Sequence, residues 1–266
     1  MRFLCFAALL LVSLSASAAQ RVVSLAPSLS EIMLELDAGD RLVGLLDGGE
    51  RPPALAGVQS VGRYGQVELE TLLSLRPDLV LLWPDSIPRG QRQQLQQLGI
   101  PLLVVEPSRL EQLAEQFALI GRAVDRAEQG AQLAERFRHG LAQLRQQYAR
   151  TPPLRVFYQV WHRPLYTLGG PQIISEAIAV CGGVNVFADL QLPAPQVSVE
   201  AVLARDPEVI LGGSGAELES WNAWPQLSAV RSGRLLAVPD KGLERPSFQM
   251  LGAIGKLCEV MARATP

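Results

Sequence analysis

The sequence contains little histidine, little cysteine and no excess of either charge. Its 266 residues include only 2 His and 3 Cys, and 24 Lys and Arg nearly balance 26 Asp and Glu. Two imidazoles cannot fill the multi-histidine site of a typical transition-metal carrier. Without a basic cluster the chain does not offer a surface that follows nucleic-acid phosphates, which excludes nucleic-acid binding. The apolar share is 48%, enough to bury a large core, and it excludes a disordered protein.

The sequence also has no apolar run long enough to cross a membrane. The N-terminal run over residues 3–14 is well short of the roughly 20 residues that a spanning helix needs, which disfavours an uncleaved anchor. Arg2 precedes this run, and Ala16-Ser17-Ala18 follows it. This order is typical of a secretory signal peptide with a small-residue cleavage site, which we predict over residues 1–19. The remaining chain is expected to be soluble and exported.

Removal of the signal peptide changes the number of cysteines from odd to even. Cys5 is lost and Cys181 and Cys258 remain. In an oxidising compartment this pair predicts one disulfide, and the alternative is two buried free thiols. The disulfide would close a loop of about 78 residues, for which loop-closure entropy corresponds to about 4 kcal/mol.

Two stretches of the chain repeat the same pattern, residues 69–82 and 199–211. Each has a glutamate at its second position, Glu70 or Glu200, followed by an amphipathic helical stretch, a proline and an apolar strand. The two glutamates are therefore predicted to occupy equivalent places in two halves of the molecule.

Strands that alternate with helical segments predict an α/β fold with parallel sheets covered on both faces. The expected architecture is two Rossmann-like lobes joined by one long α-helix, with a ligand cleft between them. The predicted units are an N-terminal lobe over 20–124, an interlobe helix over 125–150 and a C-terminal lobe over 151–266. The predicted strands cover 21–26, 42–46, 79–83, 102–106, 155–160, 208–212 and 235–238.

Helix starts and faces can also be predicted. Ser28-Leu29-Ser30-Glu31 has the spacing of a capping box, so the first helix is expected to begin there and to end near Gly39. Residues 125–150 lack proline and place Ala134, Phe137 and Leu141 on one apolar face. A helix of that length would run about 39 Å and hold the lobes nearly fixed. Two further helices are predicted over residues 172–180 and 247–263.

Ligands of parallel sheets bind beyond the carboxyl ends of the strands. Aromatic residues make up only 6% of the chain, yet Trp83, Trp161 and Tyr166 fall where predicted strands end, and Tyr64 falls in the loop before the first repeat helix. Each ring alone could seal the local core, but together they suit a broad, partly apolar ligand. No nucleophile elbow, zinc-protease motif or EF-hand loop is present, so the sequence does not favour catalysis.

Several stretches carry a family resemblance. They are Arg21-Val22-Val23-Ser24-Leu25-Ala26-Pro27, Arg51-Pro52-Pro53, the repeat over 69–82, Val180-Cys181-Gly182-Gly183-Val184-Asn185-Val186-Phe187, Pro195-Gln196-Val197-Ser198-Val199-Glu200 and Glu244-Arg245-Pro246-Ser247. With these motifs the chain resembles the helical-backbone class of periplasmic binding proteins that serve ABC importers. Within that class it is most similar to the cobalamin (vitamin B12)-binding type.

The resemblance implies cobalamin capture between the lobes and delivery to an ABC importer, without catalysis and without a cofactor or metal of the protein's own. It implies a periplasmic protein that is a monomer when free and that docks on a permease and ATPase complex in the inner membrane. Glu70 and Glu200 map onto the glutamates that dock on permease arginines. The implied ligand-binding residues are Gly48, Tyr64, Trp83, Trp161, Tyr166, Lys241, Gly242, Leu243, Glu244 and Arg245.

The sequence departs from this family at the site itself. Gly48 stands where the family has a tyrosine, and Ala194 stands where it has a tryptophan. Trp161 stands where the family has a glycine, and its ring could compensate for the two lost aromatic residues. Two alternatives therefore stay open. One is haem or siderophore capture, with Tyr64 or His162 as a haem ligand, and the other is an exported enzyme on the same scaffold.

Overall fold

A computed structural model describes residues 18–48 and 51–263, so most of the predicted signal peptide lies outside the described residues. The N-terminal half forms β1 Val22–Ser24, α1 Pro27–Glu35, β2 Leu42–Asp47, β3 Gln59–Arg63, β4 Gln66–Val67, α2 Leu69–Ser74, β5 Leu79–Leu82, α3 Arg89–Gln97, β6 Leu102–Val104 and α4 Leu110–Ala123. The rest forms α5 Ala127–Gln147, β7 Leu154–His162, β8 Leu165–Thr167, α6 Ile173–Val180, β9 Gly183–Asn185, α7 Val199–Arg205, β10 Val209–Gly212, α8 Gly215–Leu218, α9 Ser228–Arg231, β11 Leu235–Ala237 and α10 Met250–Arg263.

The strands form two separate sheets, one in each half. The first has the order β4-β3-β2-β1-β5-β6, and the second has the order β11-β10-β7-β8, with β9 paired to β7. Pairing is parallel except that β4 joins β3 and β8 joins β7 in antiparallel fashion. The prediction of an α/β fold with two parallel-rich sheets is confirmed. The short strands β3, β4, β8 and β9 were missed because they have no continuous apolar run.

The repeat found in the sequence is a repeat of hydrogen bonds as well. The backbone N–H of Arg21 donates to the carboxylate of Asp78 at 2.8 Å, and the N–H of Arg155 donates to that of Glu208 at 3.0 Å. The side chain of Arg21 also donates to the carbonyl of Leu75 at 2.6 Å, at the end of α2. In the other half, the side chain of Arg155 donates to the carbonyl of Asp206 at 2.9 Å, at the end of α7. The same short contacts therefore hold β1 beside β5 and β7 beside β10.

The capping box predicted at the start of α1 is wrong. Pro27 occupies the first helical turn and Ala26 is the N-cap residue, without a side-chain cap. Proline is well suited to this position because its missing N–H would be unpaired there. The helix ends at Glu35 and not near Gly39, and the next residues turn through Asp37, whose φ is 54°.

The long helix between the sheets is α5, which is shorter than the 125–150 prediction. Asp125 has a φ of 52°, which separates α4 from α5 by a tight turn and delays the helix start. At 1.5 Å per residue its 21 residues span about 31 Å. Gly130 packs directly on the backbone of α4, since a Cβ there would lie 2.6 Å from the carbonyl oxygen of Phe117. The two helices therefore form one closely packed pair.

One apolar core reaches from the first sheet to the second. Its fully buried members on five helices include Ile32, Phe117, Phe137, Ile178 and Ile254. The predicted disulfide is confirmed and lies in this core, joining Cys181 at the end of α6 to Cys258 in α10. Among the described residues, no helix is long and apolar enough to cross a membrane.

Candidate functional site

The predicted binding residues of the first lobe lie along one edge of its sheet. Gly48, Tyr64 and Trp83 follow β2, β3 and β5, which run parallel, so the carboxyl ends of these strands bring them to the same side. Helix α1 begins at this edge too, because it follows β1. The sheet edge and the start of α1 thus form one wall of a cleft.

Gly48 has no room for a side chain. A Cβ built on it would lie 2.6 Å from Cγ of Pro27, in the first turn of α1. A side chain at this position would require Pro27 to shift. The wall is formed here by backbone and by Pro27.

Tyr64 stands on a sharp turn between β3 and β4. The turn depends on Gly62, whose φ is 108° and whose Cβ would lie 2.3 Å from the carbonyl oxygen of Gln66. Gly65, with a φ of 77°, completes it. The tyrosine ring is 62% exposed, which is unusual for a large aromatic residue without a partner. The turn thus presents an aromatic surface beyond the edge of the sheet.

Trp83 is positioned differently, since it packs partly against the core. Its backbone N–H donates to Oγ of Ser86 at 3.0 Å, which fixes the segment after β5. The indole Nε1 is buried and has no hydrogen-bond partner. The side chain therefore combines a structural role with an unpaired donor near the cleft.

The second lobe supplies two rings from one hairpin. Trp161 on β7 pairs with Tyr166 on β8, so the two side chains lie on the same face. Trp161 is 54% exposed, and its indole N–H donates to the carbonyl of Arg163 at 3.0 Å. The ring of His162 lies 5.5 Å from it. The hairpin thus brings two aromatic residues of the second lobe together.

The segment after β11 forms a short 3-10 helix, Lys241–Glu244. Asp240 caps it through the N–H of Gly242 at 2.8 Å and pairs with Lys256 at 2.6 Å. The Lys256 bond and then the Gly242 bond hold the pKa of Asp240 below its usual value. Leu243 is only 1% exposed and lies in the core, and Gly242 is buried beside it, so neither residue offers a surface to a ligand here.

Arg245 connects this segment to the first lobe. Its guanidinium donates to Glu31 of α1 at 2.7 Å, and Oγ of Ser247 donates to the same carboxylate at 3.1 Å. The side chain of Gln249 also donates to Glu31. Glu31 is 7% exposed, so this is a buried carboxylate with several donors from the opposite lobe. Sequence reasoning missed it because the capping-box pattern assigned Glu31 a local role.

A cavity of about 340 Å³ adjoins these contacts. Its lining residues come from both lobes and are Glu31, Leu34, Glu35, Arg51, Pro52, Pro53, Arg245 and Gln249. Of the predicted ligand-binding residues only Arg245 lines this cavity, and the four aromatic residues at the strand ends do not. The guanidinium of Arg51, which lines the cavity, forms an ion pair with Asp47 and also donates to the carbonyl of Val58 at 2.8 Å.

The two glutamates of the repeat lie outside the cleft. Glu70 and Glu200 are both the second residue of a short helix, α2 or α7, and both are exposed. The N–H of Glu200 itself and then the hydroxyl of Ser198 lower the pKa of the Glu200 carboxyl, which keeps it charged. Two carboxylates at equivalent places suit a partner with two cationic sites.

A second cavity, of about 510 Å³, was not predicted and lies wholly in the second lobe. His162 and Leu165, which pair across the hairpin, line it with Gln159, Trp221 and Trp224. Trp221 Nε1 donates to the side-chain oxygen of Gln159 at 2.7 Å, which leaves Nε2 of that amide buried without a partner. In the part of the chain that the structure describes, no group of three or more His, Cys, Asp or Glu is placed to hold a metal ion.

Comparison with known proteins agrees with this geometry. The profile of one family, described as periplasmic binding protein, matches residues 22–241. The vitamin B12-binding protein of Vibrio cholerae serotype O1 is 35% identical over 243 residues, which cover 90% of this chain and 88% of that protein. That of Yersinia pestis is 36% identical over 262 residues, 96% and 92% of the two chains.

A solved structure extends the comparison to three dimensions. The crystal structure of the periplasmic vitamin B12-binding protein BtuF of Vibrio cholerae superposes with a TM-score of 0.82 at 34% identity. The match covers 92% of this chain and 98% of that one. The similarity therefore includes both lobes and the helix between them.

Proposed function

This chain belongs to the periplasmic binding protein family, and from that premise we propose that it captures cobalamin between its lobes and delivers it to an ABC importer. The observation that carries the proposal is the similarity to vitamin B12-binding proteins at 35% and 36% identity over at least 90% of the chain. The positions of the aromatic residues support it, because Tyr64 and Trp83 follow β3 and β5 in one lobe and Trp161 and Tyr166 pair in the β7–β8 hairpin of the other.

The proposed ligand walls are aromatic on both sides. Tyr64 and Trp83 belong to the first lobe, and Trp161 and Tyr166 belong to the second. A corrin is a broad ring system with an apolar face and amide groups at its rim, so rings can cover the face while polar groups bind the rim. Trp161 supplies aromatic area that the glycine at position 48 does not.

The loop from Lys241 to Arg245 completes the proposed site from the second lobe. Its exposed side chains, Lys241 and Glu244, are available to polar groups of the ligand, whereas Gly242 and Leu243 are buried. Arg245 is engaged by Glu31 and has a positioning role, because it fixes the loop against the first lobe.

Delivery requires a second surface, which we assign to Glu70 and Glu200. Their equivalent positions in the repeat place one carboxylate on each lobe, where they orient docking on permease arginines and allow reversible release. The partner is the permease and ATPase complex of the inner membrane. The predicted signal peptide over residues 1–19 directs export to the periplasm, where the free protein acts as a monomeric carrier without catalysis.

Absorbance tests the ligand directly. The protein without residues 1–19 is mixed with cyanocobalamin or with haemin, and free ligand is removed by gel filtration. We expect the cyanocobalamin spectrum to co-elute with the protein at close to one equivalent. Co-elution of haemin and not of cyanocobalamin would overturn the proposal and favour the haem alternative.

A further inference from the structure

Two carboxylates each accept hydrogen bonds from the start of a helix that belongs to the opposite lobe. Glu35, at the end of α1 in the first lobe, accepts from the backbone N–H of Phe248 at 2.9 Å and of Gln249 at 3.2 Å, just before α10 in the second lobe. Glu176, in α6 of the second lobe, accepts from the N–H of Leu110 at 2.8 Å, the first residue of α4 in the first lobe.

The two contacts are reciprocal. Helix α1, the first helix of the first lobe, binds the start of α10, the last helix of the second lobe. Helix α6, the first helix of the second lobe, binds the start of α4, the last helix of the first lobe. Helix α4 has no side-chain cap from its own N-cap residue, Arg109, so its cap comes from the opposite lobe. The guanidinium of Arg109 also donates to Glu176 at 2.9 Å.

The chemistry of a helix start makes these contacts directional. The first N–H groups of a helix have no partner within it, and a carboxylate there is favoured both by hydrogen bonding and by the helix dipole. A bond of this kind weakens steeply when its donor moves away or turns aside. Movement of one lobe against the other would therefore stretch both caps.

The caps are separate in space and in sequence. Glu35 belongs to the same anchor as Glu31, which binds Arg245 and Ser247, whereas Glu176 forms a second anchor between α6 and the start of α4. Each anchor restrains the lobes at a different pair of helices. Two anchors, together with α5, define the angle between the lobes.

We propose that Glu35 and Glu176 are positioning residues for the ligand cleft, which set its width before the ligand arrives. The inference rests on the proposed function for its ligand but not for its geometry. When only a fraction of the protein is in the conformation that binds, the apparent affinity falls by that fraction. A cleft of fixed width avoids this loss.

Inter-lobe distances test the geometry without any ligand. Spin labels are placed at Leu98→Cys and Leu192→Cys, which are 56% and 66% exposed and lie in opposite lobes. Double electron–electron resonance is then recorded on the labelled full mature chain and on the same chain with Glu35→Ala and Glu176→Ala. A typical cap corresponds to about fivefold in an equilibrium constant, so losing two caps should raise the population of opened lobes about thirtyfold.

A matched control removes an ion pair that does not join the lobes. Glu111→Ala breaks the 2.5 Å contact between Glu111 of α4 and Arg138 of α5 and should leave the distance distribution narrow. Glu35→Gln with Glu176→Gln keeps an acceptor oxygen at both helices and should stay closer to the unmodified protein than the alanine pair does.

The cyanocobalamin Kd provides a second reading of the same variants. We expect it to rise in the double alanine variant, by at most the thirtyfold of the opened population, and to change little in Glu111→Ala. A narrow, unchanged distance distribution in the folded double alanine variant contradicts the inference. If that variant does not fold, each single alanine variant is measured instead. Each should broaden the distance distribution, and an unchanged narrow distribution overturns the inference. Failure of the unmodified protein to bind cyanocobalamin would refute only the proposed function.

Discussion

Breaking the bond between Cys181 and Cys258 should destabilise the protein by an amount that follows from the length of the loop. The two residues are separated by 77 positions. For a loop of this size, the restriction that the bond places on the unfolded chain corresponds to about 4 kcal/mol. Both sulfurs are buried between α6 and α10, and reduction leaves them in place. The change therefore reports the cross-link itself and not a lost side chain.

Urea unfolding followed by circular dichroism measures this effect with and without a phosphine reductant. We expect the free energy of unfolding of the reduced mature chain to be lower by about 4 kcal/mol. A variant with Cys181→Ala and Cys258→Ala serves as the control, because its unfolding should not respond to the reductant. Equal stabilities of the oxidised and fully reduced chain, within about 1 kcal/mol, would refute the loop-entropy reasoning.

Trp161, the two exposed glutamates of the repeat and the buried Glu35 can each be tested by substitution. Trp161→Ala should weaken cyanocobalamin binding about tenfold, as expected for loss of a ring that is half covered, and equal affinity by titration calorimetry would exclude the ring from the site. Glu70→Ala with Glu200→Ala should leave that affinity unchanged and weaken docking on the permease complex in nanodiscs, whereas unchanged docking would remove their proposed role. Burial raises the pKa of Glu35 above 4.5, so its contribution to stability is complete below that value and is lost as the pH rises through the raised pKa. Glu35→Gln should therefore flatten this part of the pH dependence of Tm, and an unaltered pH profile would contradict the assignment.

The repeat shows how far the sequence alone could lead. The positions of Glu70 and Glu200 followed from pattern, and the structure adds matching left-handed residues at the helix ends, Arg76 with a φ of 47° and Asp206 with a φ of 40°. Such pairs could be found because both halves solve the same local problem of ending a short helix before a buried strand. The signal was local in each copy, and the comparison between copies made it specific.

The interlobe contacts could not be predicted because they depend on tertiary structure. Glu31 and Arg245 are more than two hundred residues apart, and nothing in the composition around either of them indicates a partner. The local pattern at Glu31 even favoured a wrong capping role. Leu243 shows the same limit, since a loop residue that the resemblance implied as a ligand contact has its side chain in the core. Contacts of this kind follow from how two lobes meet, which a helix or strand pattern does not encode.

Calorimetric titration of the mature chain with cyanocobalamin decides whether this protein is a cobalamin carrier. The account predicts saturable binding of one cyanocobalamin per chain that an excess of haemin does not displace. Absence of heat with cyanocobalamin, together with saturable binding of haemin by the same folded preparation, would contradict it.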